Sequence, residues 1–277
     1  MTDETLTGGR FAAPIRDGDT VTRRMGPGAA NIHALLEHLS RQGFDLAPRP
    51  LGLTPDRSRE VLTYLPGVSA HPPLPAAVRS EKALRSAART VRALHDAIQG
   101  FTPPQPGVWG RQEATVPADI DCIGHGDLAP WNLLFDGDQV TGIIDFDVAG
   151  PSNRVYDLAY LAHQLVPLHP TEDLAGFGWD TEPDRGRRLR ILATAYDPGL
   201  RPALLVDYAA IRLLSMGAHI EQQVHAGNAD YAAHGEHHFA AGYRRAAAFI
   251  STHREALLTP RTATTHDGTG PTTQDDQ

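Results

Sequence analysis

The sequence predicts an α+β chain in two lobes. A reduced N-terminal β-sheet lobe with one helix spans residues 1–66, a mainly helical C-terminal lobe spans 67–260, and a tail follows at 261–277. Three observations carry this. The alternating stretch "DTVTRRM" leads at once into an amphipathic segment, "NIHALLEHLSRQGF". Two apolar runs, "LLF" and "VTGIIDF", flank the turn residues Asp136, Gly137 and Asp138, a hairpin signal. From Arg185 to about Leu258 the pattern is helical.

In chain order, Thr20–Arg24 reads as a short strand because its side chains alternate in character. The following helix gathers Ile32, Leu35, Leu36 and Leu39 on one face, with Asn31 as its cap and Gly43 as its stop. "REVLTYLPG" is an apolar, β-leaning run halted by Pro66 and Gly67, and "HPPLP" after it is a connector that marks the lobe boundary. "EKALRSAARTVRALHDAI" is amphipathic at helical spacing and ends in the proline-rich "GFTPPQPG". The tail is poor in apolar residues and is expected to be disordered.

With 277 residues, 41% of them hydrophobic, the chain has enough apolar surface to bury a core. A formal net charge of -8 argues against general attraction to nucleic acid or anionic lipid. No run approaches the roughly 20 apolar residues of a membrane span, and "MTDETLTGGR" carries no export signal. Cys122 is the single cysteine and has no internal disulfide partner, which accords with a reducing, cytoplasmic setting. The expected partners are therefore a small molecule and a nucleotide, not nucleic acid or a membrane; oligomeric state is not legible.

The chemistry concentrates in "HGDLAPWN", residues 125–132, and "GIIDFD", residues 142–147. Phosphoryl transfer needs a carboxylate to orient the attacking hydroxyl and hard oxygen ligands to hold Mg²⁺ against nucleotide phosphates. Asp127 supplies the first, Asn132 and Asp145 the second, and the hairpin between them can fold Asp145 back against the loop. Asp147 is either a further carboxylate at that site or a solvated residue after a strand.

These residues resemble the catalytic half of the aminoglycoside phosphotransferase and choline kinase-like family, a small-molecule branch of the protein-kinase-like fold. The resemblance is concentrated in residues 120–162. It implies that Asp127 is the catalytic base or hydroxyl-orienting residue, that His125 braces the loop, and that Asn132 and Asp145 bind Mg²⁺. It also implies that Asp157, in "VYDLAYL", starts a helix and stabilises the loop. A protein-kinase reading fits less well. Ala129 stands where those enzymes usually have lysine, "DFD" replaces DFG, and no "APE" is present.

The nucleotide half departs from the family. Its members usually carry a phosphate-contacting lysine on a small-lobe strand, paired with a helix glutamate; here the sole lysine, Lys82, lies in a later helix and reads as a surface residue. Arg23 or Arg24 would replace it, oriented by Glu37 or His38 on the next helix. "TGGR" at 7–10 is a faint phosphate-loop candidate, and "GPGAAN" reads as a turn into the helix. "LTYLPG" resembles the family hinge, where the backbone of Thr63, Tyr64 and Leu65 would meet adenine; a plain edge strand is the alternative. His234 and His238 sit one turn apart beside Glu236, a weak zinc pattern without a third ligand. Glu221, Asp230 and Glu236 are either surface charges or receivers of a cationic substrate.

The expected activity is Mg-dependent transfer of the γ-phosphoryl of ATP or GTP to a small-molecule hydroxyl. The competing expectation, prompted by the missing lysine and glycine loop, is a catalytically weak nucleotide-binding regulatory pseudokinase.

Overall fold

Alternation in the first sheet decides which arginine faces inward. The computed structural model of the protein describes residues 4–5, 14–110, 114, 119–232 and 237–260. Strands β1 (Glu4–Thr5), β2 (Ile15–Asp17), β3 (Thr20–Arg24), β4 (Pro50–Leu53) and β5 (Arg59–Thr63) form an antiparallel sheet in the order β1-β2-β3-β5-β4. Because successive strand residues point to opposite faces, Arg23 is buried and Arg24 is exposed. The register sets Arg23 opposite Glu60, a cross-strand pair of opposite charge.

Helix α1 (Ala29–Arg41) lies between β3 and β4 and buries Ile32, Leu35, Leu36 and Leu39, the expected face. Asn31 is not its cap. The helix starts earlier, after Gly28 at φ +74°, and Asn31 is fully buried inside it. Its amide donates to the carbonyls of Gln105 and Val108 and accepts from Gln105 N, stapling the 101–110 segment to the first lobe. A Cβ at Gly28 would lie 2.6 Å from Gly110 N, so this close approach requires glycine.

The second lobe begins with β6 (Val68–Ser69), which joins the predicted hairpin β8 (Leu133–Asp136) and β9 (Gln139–Ile143) in a sheet of order β6-β8-β9. A second small sheet pairs β7 (Cys122–Gly124) with β10 (Gly150–Ser152). Around them pack α2 (Ala76–Arg79), α3 (Glu81–Ala97), α4 (Arg154–Leu165), α5 (Arg185–Tyr196), α6 (Pro202–His225), α7 (Ala229–Ala232), α8 (His237–Thr252) and α9 (Arg254–Leu258). The chain is thus bilobal, sheet first and mostly helix after, as in protein-kinase-like folds. One continuous core joins the lobes, from Leu35 and Leu39 through Leu84 and Val91 to Ile143 and Leu161. Ile143 N also donates to Leu46 O across the junction.

Helix α6 is apolar and long enough, by length and composition alone, to cross a membrane, which a search for unbroken apolar runs does not register. Here it packs against α4 and α8 and carries the buried Arg212 and the ion-paired Asp207. The "TGGR" residues, the tail from 261, His234 and Glu236 lie outside the described residues.

Candidate active site

The loop after β7 is built around one buried carboxylate. Asn153 caps α4 by accepting from Val155 N and Tyr156 N, which sets Asp157 in the first turn. Asp157, fully buried, accepts the backbone N–H of His125 and of Gly126 at 2.9 Å each, and meets His95 Nε2 at 3.1 Å. Burial works against its charge, but the hydrogen bond and charge of His95, aided by Arg212, outweigh that and hold its carboxyl down at about 2.

His125 is spent on the loop itself. Its Nδ1 accepts Asp127 N at 3.2 Å, so Nε2 carries the proton and donates to Ile144 O at 2.9 Å. Gly126 adopts φ +85°, and a Cβ there would stand 2.3 Å from Val148 O. Gly126→Ala is accordingly expected to destabilise the protein by more than about 1 kcal/mol, read as a lower urea midpoint at unchanged m. An unchanged midpoint would show that the turn relaxes freely.

Asp127 is partly buried. Asn132 Nδ2 donates to its carbonyl at 2.9 Å and to its Oδ2 at 2.7 Å, and Trp131 Nε1 approaches the same Oδ2 at 3.4 Å. With its amide protons aimed at Asp127, Asn132 presents its oxygen elsewhere. Ile144 N donates to Asn132 O at 2.9 Å, which brings Asp145 alongside. Asp145 itself sits at φ +66°, a left-handed conformation uncommon for a residue with a Cβ.

Arg23 reaches this group from the first lobe. Its Nε meets Glu60 Oε1 at 2.7 Å, Nη1 meets Asp145 Oδ1 at 3.2 Å, and Nη2 meets Asp147 Oδ1 at 2.5 Å. Burial opposes its charge, yet Asp147, Glu60 and Asp145 together raise its pKa above the ordinary range. Asp147 is pushed up by burial despite Arg23, with Asp145 and Glu60 adding to the rise. Asp147 therefore belongs to the cluster and is not a solvated residue.

The expected orienting partner is corrected. Glu37 is exposed, and His38 turns to Ala97 O at 3.0 Å. Glu60 from β5 does the orienting, with His33 of α1 on its other carboxylate oxygen. Arg24, on the opposite face of β3, does not join. Lys82 is a surface residue, its side chain 81% exposed. In the segment expected to act as the hinge, Thr63 N donates to Arg49 O and Tyr64 N to Asp19 O, so both N–H groups are already engaged.

The sequence reading also missed Arg212. From α6 it donates to Gly126 O, with its guanidinium 5.1 Å from the Tyr156 ring and 4.8 Å from the Tyr160 ring. An isolated cation within "YAAIRLLSMGA" was the available signal. A cavity of about 580 Å³ opens nearby, lined by Trp109, Pro151, His219, Gln223, Asn228 and Tyr231 among others. Trp109 packs on Gly150, and Gly110 abuts the backbone of Asp147, so the cavity wall reaches the main chain behind the carboxylate cluster, whose side chains do not line it. Glu221 is paired with Arg244, and among the described residues no group of three or more His, Cys, Asp or Glu is placed to hold a metal; His234 and Glu236 of the zinc pattern fall outside those residues.

Residues 105–206 match the model of a phosphotransferase enzyme family. The trifolitoxin immunity protein of Rhizobium leguminosarum bv. trifolii is 33% identical over 202 residues, covering 71% of this chain and 75% of that one. The chain belongs to the phosphotransferase enzyme family. A homoserine kinase of Rhizobium rhizogenes is 27% identical over 168 residues, covering 45% of this chain and 49% of its own. Among solved structures, a choline/ethanolamine kinase family protein from Mesorhizobium loti superposes with TM-score 0.62 at 20% identity, over 93% of this chain and 92% of that one. Amicoumacin kinase hAmiN, solved with AMP-PNP, Ca²⁺ and Ami, gives 0.60 at 12% identity, over 90% and 88%. These two likenesses establish the fold that the "HGDLAPWN" resemblance implied.

Proposed function

We propose that the protein transfers the γ-phosphoryl of ATP or GTP to a hydroxyl of a small molecule. The observation that carries this is the placement of Asp127, fixed by Asn132 and Trp131 and joined through Asn132 and Ile144 to the carboxylates of Asp145 and Asp147. In this reading Asp127 accepts the hydrogen bond of the acceptor hydroxyl and takes its proton as the phosphoryl group transfers. Arg23 contacts the nucleotide phosphates from the first lobe.

Two carboxylates and an amide oxygen are the hard donor set a magnesium ion requires, and the cluster already draws in a cation in the form of Arg23. Asn132 and Asp145 would hold the ion, with Asp147 beside them. Bound there, Mg²⁺ would neutralise charge on the phosphates.

The cavity beside the cluster is the proposed acceptor site. Its lining joins an indole face to the amides of Gln223 and Asn228 and to the hydrogen-bonded pair His219 and Tyr231. The homoserine kinases favour a small hydroxy amino acid or amino alcohol as acceptor, whereas the name of the immunity protein favours an antimicrobial one. Trp109, His219 and Tyr231 supply rings for an acceptor larger than homoserine. A cytoplasmic setting, where nucleotide is available, is part of the same proposal.

A regulatory protein that binds nucleotide without turnover is the second reading, favoured by the one observation that an arginine engages both carboxylates. The first test is a thermal unfolding series with Mg²⁺ and ATP or GTP. Nucleotide at 100 times its dissociation constant is expected to stabilise the fold by roughly 2.7 kcal/mol, and Asp145→Asn is expected to abolish the magnesium-dependent part. No stabilisation by either nucleotide would sink both readings, and stabilisation without turnover on any alcohol library would leave the second.

A further inference from the structure

We infer that Arg23 is a built-in occupant of the cation site: its guanidinium neutralises Asp145 and Asp147 together, and a divalent ion must displace it to bind there. This inference rests on the phosphotransferase reading for its biological sense, but not for its test.

A guanidinium presents N–H groups in three directions, and Arg23 uses all three on carboxylates: Nε on Glu60, Nη1 on Asp145 and Nη2 on Asp147. A lysine ammonium is a single point charge on a flexible stem and cannot span three separate carboxylates in a fixed fork. Arginine at this strand position is therefore not a neutral exchange for lysine.

The three contacts are unequal. Glu60 is buried, 3% exposed at its side chain, and its second oxygen is held by His33. Asp145 and Asp147 are 37% and 29% exposed. The Glu60 contact is the deepest and anchors the root of the guanidinium, while the two aspartates are more accessible and so within reach of an incoming ion. Arg23 can thus release the two aspartates without leaving Glu60. The same strand position then holds the freed nitrogens where nucleotide phosphates can take over from the aspartates.

The backbone supports this arrangement. Asp145 is held in a left-handed conformation and Asp147 follows in a single turn of 3₁₀ helix, Phe146–Val148, so both carboxylates meet one guanidinium. Removing Arg23 leaves three carboxylates, Glu60, Asp145 and Asp147, without their shared cation. Their affinity for another cation must rise.

The consequence is a pair of effects with opposite sign. In Arg23→Gln, affinity for Mn²⁺ in the absence of nucleotide is expected to rise at least about fivefold, the lower end of ordinary coupling between sites. Affinity for Mg–nucleotide is expected to fall, because the phosphates lose the guanidinium. Arg23→Lys keeps the charge but loses the fork and should show part of the Mn²⁺ gain. In the Arg23→Gln, Asp145→Asn double variant the gain should disappear.

The experiment is a Mn²⁺ titration of the full chain without nucleotide, following free Mn²⁺ by electron paramagnetic resonance, beside Mg–ATP and Mg–GTP titrations by calorimetry. Circular dichroism melts check that each variant is folded, and Arg23→Lys carries the test if Arg23→Gln is not. Tighter Mn²⁺ binding in the variants supports the inference. Unchanged or weaker Mn²⁺ binding in a folded variant overturns it, even where wild type binds Mg–nucleotide normally. Wild type that binds no Mg–nucleotide would instead defeat the functional reading, an outcome that the Mn²⁺ arm does not share.

Discussion

Asp127→Asn is expected to lower kcat by about 10²- to 10⁴-fold, the usual contribution of a positioned general base. The substitution is conservative in space. Asparagine keeps an oxygen for Asn132 Nδ2 and Trp131 Nε1, which both use Oδ2 in the native loop, so the hydrogen bonds that shape the loop survive. What it loses is the negative charge and the capacity to take a proton. The fold should be unaffected by circular dichroism melting, and Mg–nucleotide should bind as in wild type. A folded variant with a native rate would remove Asp127 from the reaction. Loss of nucleotide binding would reassign it to the nucleotide site. The split between kcat and binding is the informative reading, because an Asp127 that only shaped the loop would lower stability first.

How much of this was legible in the sequence depends on how far apart the interacting residues are. "HGDLAPWN" and "GIIDFD" are close in the chain, and a hairpin with a two-residue turn fixes their relation locally, so Asp127, Asn132 and Asp145 could be grouped from spacing alone. Arg23 was legible as a cation on a strand and no further. Its partner Glu60 is set by the register of β3 against β5, a tertiary pairing across 37 residues, whereas the family's strand-to-helix pairing pointed to Glu37 or His38. Asn31 has the composition of a cap, but whether an asparagine caps a helix or staples a distant loop depends on what packs on it. Arg212 reaches the loop directly and His95 supports it through Asp157, from helices after and before it, and no local pattern announces such a meeting.

Asp157 shows the same dependence energetically. Its carboxylate satisfies two backbone N–H groups and His95 in a fully buried setting. Asp157→Ala would strand those donors without a partner, and each buried donor left unsatisfied typically costs about 1–3 kcal/mol. Asp157→Asn keeps one acceptor and should cost less. Both are read from urea midpoints. The acid limb of stability follows from the same residue. Its carboxyl is held at about 2 in the folded chain, from an ordinary value of 3.8, so the folded state favours the ionised form. That preference is fully expressed above pH 4 and fades as the pH falls toward 2, because the unfolded chain takes up the proton first. Integrated, it amounts to roughly 2–3 kcal/mol. Wild type should therefore lose stability over that window more steeply than Asp157→Asn, whose residue 157 does not titrate. Parallel acid limbs for the two proteins would show that Asp157 is not the group whose ionisation the fold favours, and the hydrogen bonds to His125 and Gly126 would have to be maintained by a protonated carboxyl. A carboxyl in that state offers a donor to one of two N–H groups that need an acceptor, so the loop bearing Asp127 should loosen as Asp157 is protonated. Turnover should then fall no later than stability in the same acid range.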